Sequence, residues 1–115
     1  MNLLTRLFSK LAPAPDDAIA NAAMELALEW GPHFGEPIQD RLLKKFPAIS
    51  RARADELEQF CKEVKRFAFD LYFDQVMPGK MSQSAAQAKI KKRFPFLNRA
   101  NLSRLDTQGM YYAHK

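Results

Sequence analysis

The stretch Lys44–Ala52, KKFPAISRA, returns 48 residues later as Lys92–Ala100, KRFPFLNRA. When residues 41–58 are paired with residues 89–106, eleven of the eighteen positions are identical or exchange similar residues. In each copy, proline disfavours a helical conformation of the preceding phenylalanine, and the Ser or Asn three residues later is a favoured helix N-cap. The pattern therefore predicts an internal repeat, in which each unit is a helix, a Phe-Pro corner and a second helix.

Helical periodicity extends outward from both corners. Between them, apolar residues recur every three or four positions, which predicts a long central helix from about Ala52 to Val76. The other helices are expected to start at polar or chain-breaking positions: Asp16 or Asp17, about Ile38, Ser84, and Asn98 or Asn101. Trp30 is expected on the apolar side of the first helix, and Gly109 is expected to interrupt the last. The sequence predicts an all-α fold, a single-domain bundle of about five helices spanning residues 16–115.

Residues 1–15 are predicted to form an amphipathic N-terminal arm followed by a Pro/Ala linker. Apolar residues follow helical spacing, at Leu3, Leu4, Leu7, Phe8 and Leu11. Arg6 and Lys10 interrupt them, so no signal-peptide hydrophobic region is present. Two interpretations stay open. The arm docks on the domain or on a second copy, or it anchors the protein to a partner groove or an anionic membrane surface.

Composition favours an ordinary globular protein and excludes several functional classes. The chain has 115 residues, of which 47% are hydrophobic and 27% charged, and no apolar run approaches the roughly 18 residues of a membrane span. The single cysteine, Cys61, has no partner for an internal disulfide, so a cytoplasmic location is expected. Neither His33 nor His114 has ligand-spaced neighbours, and no phosphate loop or catalytic constellation is present. We expect no enzymatic activity, no metal and no cofactor.

Charge is segregated along the chain. Residues 11–40 carry six acidic side chains and no Lys or Arg, whereas residues 75–105 carry seven basic side chains and no acid. A basic stretch over two helices joined by a tight corner is typical of a helix-turn-helix that binds nucleic acid. Phosphate contacts are predicted for one set of residues: Lys89, Lys91, Lys92 and Arg93. Contacts in the nucleic-acid groove are predicted for a second set: Arg99, Asn101, Ser103 and Arg104. Gln108, further along the same helix, is also predicted to face the groove.

Two observations keep alternatives open. Helix-turn-helix corners usually contain glycine, and this one contains proline; the acidic first helix could also lie against the basic fourth and cancel its charge. The second hypothesis is a protein-interaction or homodimerisation module. Its predicted interface joins the aromatic end of the central helix to the arm: Phe69, Tyr72, Phe73, Leu4, Leu7 and Phe8.

Overall fold

The computed structural model describes residues 13–114, with side chains from residue 16 onward. These residues form five helices and no strand: α1 (Pro13–Ala27), α2 (Gln39–Lys45), α3 (Arg51–Leu71), α4 (Gln83–Arg93) and α5 (Arg99–Ala113). The predicted all-α fold of about five helices is confirmed. Residues 13–15, expected as a linker, form the first turn of α1. The predicted interface residues Leu4, Leu7 and Phe8 lie outside the described part of the chain.

Helix α3 is the centre of the fold and contacts the other four helices. Its 21 residues span about 32 Å, at about 1.5 Å per residue. One side of the helix is buried along its length, through Ala54, Leu57, Cys61, Val64, Ala68 and Leu71. A π-helical turn, Tyr72–Val76, continues α3 without a break. The long central helix was therefore predicted correctly, although its last turn is wider than an α-helical turn.

The two Phe-Pro corners have nearly the same backbone geometry. Phe46 ends α2 at φ −132° and ψ 73°, and Phe94 ends α4 at φ −125° and ψ 75°. The N-caps that follow, Ser50 and Asn98, are both extended, at φ −78°, ψ 160° and φ −80°, ψ 169°. Each N-cap side chain accepts a hydrogen bond from the backbone N–H three residues later. Each corner thus stops one helix and caps the next.

Helix α1 packs alongside α5 in a parallel orientation. Asn101 Nδ2 donates to the backbone oxygen of Asn21, and Gln108 Nε2 donates to that of Leu28, so both contacts join residues 80 positions apart. Asn21 also reaches the second corner, because its Oδ1 accepts from the backbone N–H of Asn98 at 2.9 Å. These hydrogen bonds fix the first helix against the last.

Helix α5 does not break at Gly109, contrary to the prediction. Gly109 is buried inside the helix, and a Cβ atom placed there would lie 2.3 Å from Cδ2 of Tyr72. The Tyr72 hydroxyl donates to Asp106 Oδ1 at 2.7 Å, and Gln83 Nε2 donates to Asp106 Oδ2 at 3.0 Å. Burial, followed by this hydrogen bond, raises the pKa of Tyr72. Glycine is used here for close approach of an aromatic ring, not as a helix breaker.

Two other sequence predictions are corrected by local geometry. Helix α4 is capped by Ser82, whose side chain accepts from the backbone N–H of Ala85 at 3.0 Å. Ser84 therefore lies inside the helix and is not its cap. Trp30 lies beyond the end of α1, and its side chain is 48% exposed. It is not a core residue, because the chain has already turned away from the packed side of α1.

Candidate nucleic-acid interface

A basic surface covers α4 and the start of α5. Lys89, Lys92 and Arg99 are exposed, and none of them forms an ion pair with any described residue. Lys91 and Arg93 are exposed on the same two elements. We call these five residues the basic face. Each of them except Arg99 is one of the predicted phosphate-contacting residues.

Two members of the basic face also stabilise the second corner. Lys91 Nζ donates to the backbone oxygens of Pro95 at 2.5 Å and Leu97 at 2.7 Å. The Arg93 guanidinium lies 4.9 Å from the centroid of the Phe67 ring and 5.5 Å from that of Phe94. These contacts leave both cations at the surface while restricting their rotamers, so less entropy is lost if they bind an anion.

The acidic helix α1 does not cover the basic face. Within the described residues α1 contacts α2, α3 and α5, but not α4. Glu25 of α1 lies 3.6 Å from Arg104 on α5, and Glu29, just beyond the end of α1, lies 2.9 Å from Arg41, which precedes the first corner. The alternative in which α1 masks α4 is therefore wrong.

The predicted groove-reading residues of α5 are placed less favourably. Asn101 is 1% exposed, and its amide donates to Asn21 while its Oδ1 accepts from Arg104. Arg104 is half-buried between that amide and Glu25. Gln108, also 1% exposed, is occupied by its bond to α1. The prediction that Asn101 and Gln108 face a groove is wrong, because both fill the α1–α5 interface.

Arg99 and Ser103 remain exposed on α5, next to a cleft of about 600 Å³ between α4 and α5. Two cations, two amides and a hydroxyl line it together with two leucines: Gln87, Lys91, Leu97, Asn98, Arg99, Leu102 and Ser103. The lining offers hydrogen-bond donors and positive charge and contains no carboxylate. Such a lining is chemically suited to an anionic group.

Other chemistry has little support in the described residues. Burial, and secondarily the charge of Glu58, raises the pKa of Cys61 to about 12, so the thiol stays neutral and unreactive near neutral pH. Residues 13–114 contain no cluster of three or more His, Cys, Asp or Glu side chains that could hold a metal ion. None of the five helices is long and apolar enough to cross a bilayer.

The predicted aromatic interface is rearranged in the structure. Tyr72 is fully buried and Phe69 is half-buried, so of the three aromatic residues predicted at the end of the central helix only Phe73, at 62%, is largely exposed. The prediction that Tyr72 is presented to a partner is wrong, because its ring fills the space above Gly109.

A separate aromatic cluster is exposed where α1 and α5 end. Trp30 stacks on Phe34 with ring centroids 5.1 Å apart, and Tyr111 meets Trp30 edge-on at 5.6 Å. All three side chains are at least 43% exposed. We call them the aromatic cluster. Sequence reasoning missed it, because Trp30 was expected on the apolar side of the first helix.

Comparison with known proteins adds no relative to this geometry. No protein-family model, no curated protein and no solved structure matches the chain. The functional proposals for the basic face and the aromatic cluster therefore depend on the described side chains alone.

Proposed function

We propose that this protein is a non-enzymatic binding domain whose basic face contacts the phosphate backbone of nucleic acid. The observation that carries the proposal is that α1 leaves α4 uncovered, and that Lys89, Lys92 and Arg99 are exposed and unpaired within the described residues. No acidic side chain lies in residues 75–105 to repel a phosphate. Lys and Arg side chains in this arrangement are typical of sequence-independent phosphate contacts.

Binding is expected to depend little on base sequence. Base-edge readout needs polar side chains free to enter a groove, and Asn101 and Gln108 are buried against α1. The cleft beside Arg99 and Ser103 would seat a phosphate, while Lys89 and Lys92 would contact the next ones along a strand. About four phosphate contacts would give a slope of log K against log salt near −3.6 on duplex DNA.

The basic face can be tested by salt-dependent titration. Fluorescence anisotropy of labelled duplex DNA and duplex RNA would be measured between 50 and 200 mM salt, for the full chain and for Lys89→Gln/Lys92→Gln. On duplex DNA the double variant should lower the magnitude of the slope by about 1.8, because each lost phosphate contact removes about 0.9. Binding that is absent, or that does not respond to salt, contradicts the proposal.

The first corner supplies a matched control. We propose that the two corners are copies of one structural unit, supported by their equivalent backbone angles and their equal spacing from the helix ends. Lys44 and Lys45 are exposed at the first corner, but the helix after it carries Asp55 and Glu56. Lys44→Gln/Lys45→Gln removes the same charge and should leave the slope nearly unchanged. An equal loss in both double variants would mean that net charge, and not the basic face, drives binding.

The aromatic cluster supports a second candidate function, homodimerisation. Exposed aromatic side chains grouped on a small domain are typical of interaction surfaces, and Phe73 adds a further exposed ring four residues beyond Phe69. Sedimentation velocity over a concentration series should then show a dimer that Phe73→Lys or Trp30→Ala weakens. Ala52→Lys, at an exposed position at the start of α3, is the control for added charge. A monomer at all concentrations would exclude this function.

A further inference from the structure

A shallow acidic groove lies along the first half of α3. Its volume is about 440 Å³, and its lining contains three carboxylates, one amide and one phenyl ring: Asp55, Glu56, Gln59, Phe60 and Glu63. Phe60 is half-buried at its base, with its ring centroid 5.2 Å from that of Phe96 and 5.9 Å from that of Phe94. We call this surface the acidic groove. It combines an apolar base with an edge of negative charge.

The carboxylates of the acidic groove are only weakly neutralised. Asp55 lies 3.7 Å from Arg51, and Glu56 lies 3.9 Å from Arg53, in pairs whose side chains are all more than 40% exposed. Exposed pairs of this kind contribute little to stability, so a better-placed cation can replace either arginine. Glu63 is exposed and has no ion pair with a described residue.

The middle of α1 lies close to this groove. Asn21 Nδ2 donates to the backbone oxygen of Phe96 at 2.9 Å, and the ring of Phe96 contacts Phe60 at the base of the groove. Pro13, where α1 begins, is about 12 Å from Asn21 along the helix axis. The twelve residues before Pro13 would span about 18 Å as a helix and about 40 Å fully extended. Because about 40 Å exceeds the roughly 12 Å from Pro13 back to Asn21, the segment is long enough to reach the acidic groove.

The sequence of residues 1–12 matches the groove in both charge and hydrophobicity. It contains Arg6 and Lys10 and no acidic residue. At helical spacing its five large apolar residues share one side, and the two cations lie at the edge of that side: Leu3, Leu4, Leu7, Phe8 and Leu11, beside Arg6 and Lys10. A basic amphipathic segment of this kind fits an apolar surface bordered by carboxylates.

We propose that residues 1–12 bind the acidic groove of their own chain. In this arrangement the apolar side of the segment packs on Phe60 and Phe96, and its two cations pair with Glu56 and Glu63. The proposal is independent of nucleic-acid binding, because the basic face lies on other residues. It assigns the acidic groove an intramolecular occupant of stated charge, and that occupant does not cover the aromatic cluster.

A spin label on the segment tests the proposal in the full chain. A nitroxide attached to Ser9→Cys should broaden the backbone amide signals of Asp55 to Glu63, and not those of Trp30 or Tyr111 at the far end of α1. Native Cys61 is buried and stays unlabelled. Mixing spin-labelled unenriched protein with unlabelled ¹⁵N protein identifies the source of any broadening. Selective broadening that persists in the mixture would mean that a second copy supplies the segment, which overturns the proposal, and so would uniform or absent broadening.

Charge reversal provides the matched comparison. Glu56→Lys/Glu63→Lys should abolish the selective broadening. Asp70→Lys/Asp74→Lys makes the same charge change at exposed positions at the end of α3 and in the π-helical turn that follows it, and should preserve the broadening. Arg6→Glu/Lys10→Glu should restore the broadening in the Glu56→Lys/Glu63→Lys background. Amide spectra of residues outside the groove report whether each variant is folded. Equal effects of the two reversals, or no restoration in folded protein, would refute the assigned pairing.

Discussion

Replacing Gly109 by alanine should destabilise the protein, although alanine is the better helix former. Gly109 lies in the interior of α5, where Gly→Ala ordinarily stabilises by about 1 kcal/mol. Here the added Cβ would lie 2.3 Å from Cδ2 of Tyr72, 2.8 Å from Cγ and 2.9 Å from Cε2. The sign of the effect therefore tests whether the contact between ring and backbone, and not helix propensity, determines the residue at this position.

The magnitude follows from how little the ring can move. Carbon atoms pack at about 3.5–4.0 Å, so the Tyr72 ring or α5 must shift by more than about 1 Å. Tyr72 is 0% exposed, and its hydroxyl is held by Asp106 at 2.7 Å. Overpacking costs about 1–3 kcal/mol, and a lost hydrogen bond to a carboxylate about 1.5–3 kcal/mol. After the gain in helix propensity, we expect a net loss of about 2–4 kcal/mol.

Urea denaturation followed by circular dichroism measures the change in the free energy of unfolding, and thermal denaturation measures the change in Tm. The unfolding entropy of a chain of this length corresponds to about 4 °C per kcal/mol, so Tm should fall by about 8–16 °C. Ser103→Ala, at an exposed position of the same helix, is the control and should change stability by less than about 0.5 kcal/mol. In a Tyr72→Leu background, Gly109→Ala should become neutral or stabilising. Unchanged stability in the single variant, or the same loss without the tyrosine ring, would refute the reasoning.

Four further substitutions test other parts of the fold. Asn21→Ala should cost about 2–3 kcal/mol in urea denaturation, because it removes hydrogen bonds to the second corner and leaves the buried Asn101 amide short of a partner. Ser50→Ala and Asn98→Ala should each cost about 1 kcal/mol of helix capping, so a cost at one corner alone would contradict their equivalence. The pKa of Cys61 is raised from 9.0 to about 12 on folding, so the buried neutral thiol contributes fully to the free energy of unfolding below pH 9. Above pH 9 the free energy of unfolding declines by up to about 1.4 kcal/mol per pH unit. Cys61→Ala should flatten the stability profile between pH 8 and 10.

The helix boundaries at both corners were predictable because local chemistry determines them. Proline ends the helix at Phe46 and at Phe94, and a short polar residue caps the next helix, whatever lies nearby. The end of α3 was harder to predict. Continuation through a π-helical turn places Tyr72 against Gly109, a contact between residues 37 positions apart that no local pattern indicates.

The candidate site was only partly predictable, for a similar reason. Lys89 and Lys92 are exposed as expected, because charged side chains on a helix stay in water unless they are paired. Asn101 was misassigned, although a signal was present. It shares a stripe with Leu105 and Gln108 at spacings of four and three, so the sequence already placed both amides on the buried side of α5. Trp30 carried no such signal, because its exposure depends on where the chain turns after α1.

The parallel pairing of α1 with α5 has a consequence for biosynthesis. Hairpins α2–α3 and α4–α5 join neighbouring segments, whereas α1 obtains its hydrogen bonds from residues about 80 positions later. During translation, at about 5–20 residues per second, α1 must wait at least about 4 s before its partner helix exists. Helix α1 also contacts α2 and α3, which are made earlier, so the wait applies to its hydrogen bonds with α5 and not to all of its packing. The hydrogen bonds that join α1 to α5 can therefore form only after the last described helix has been made.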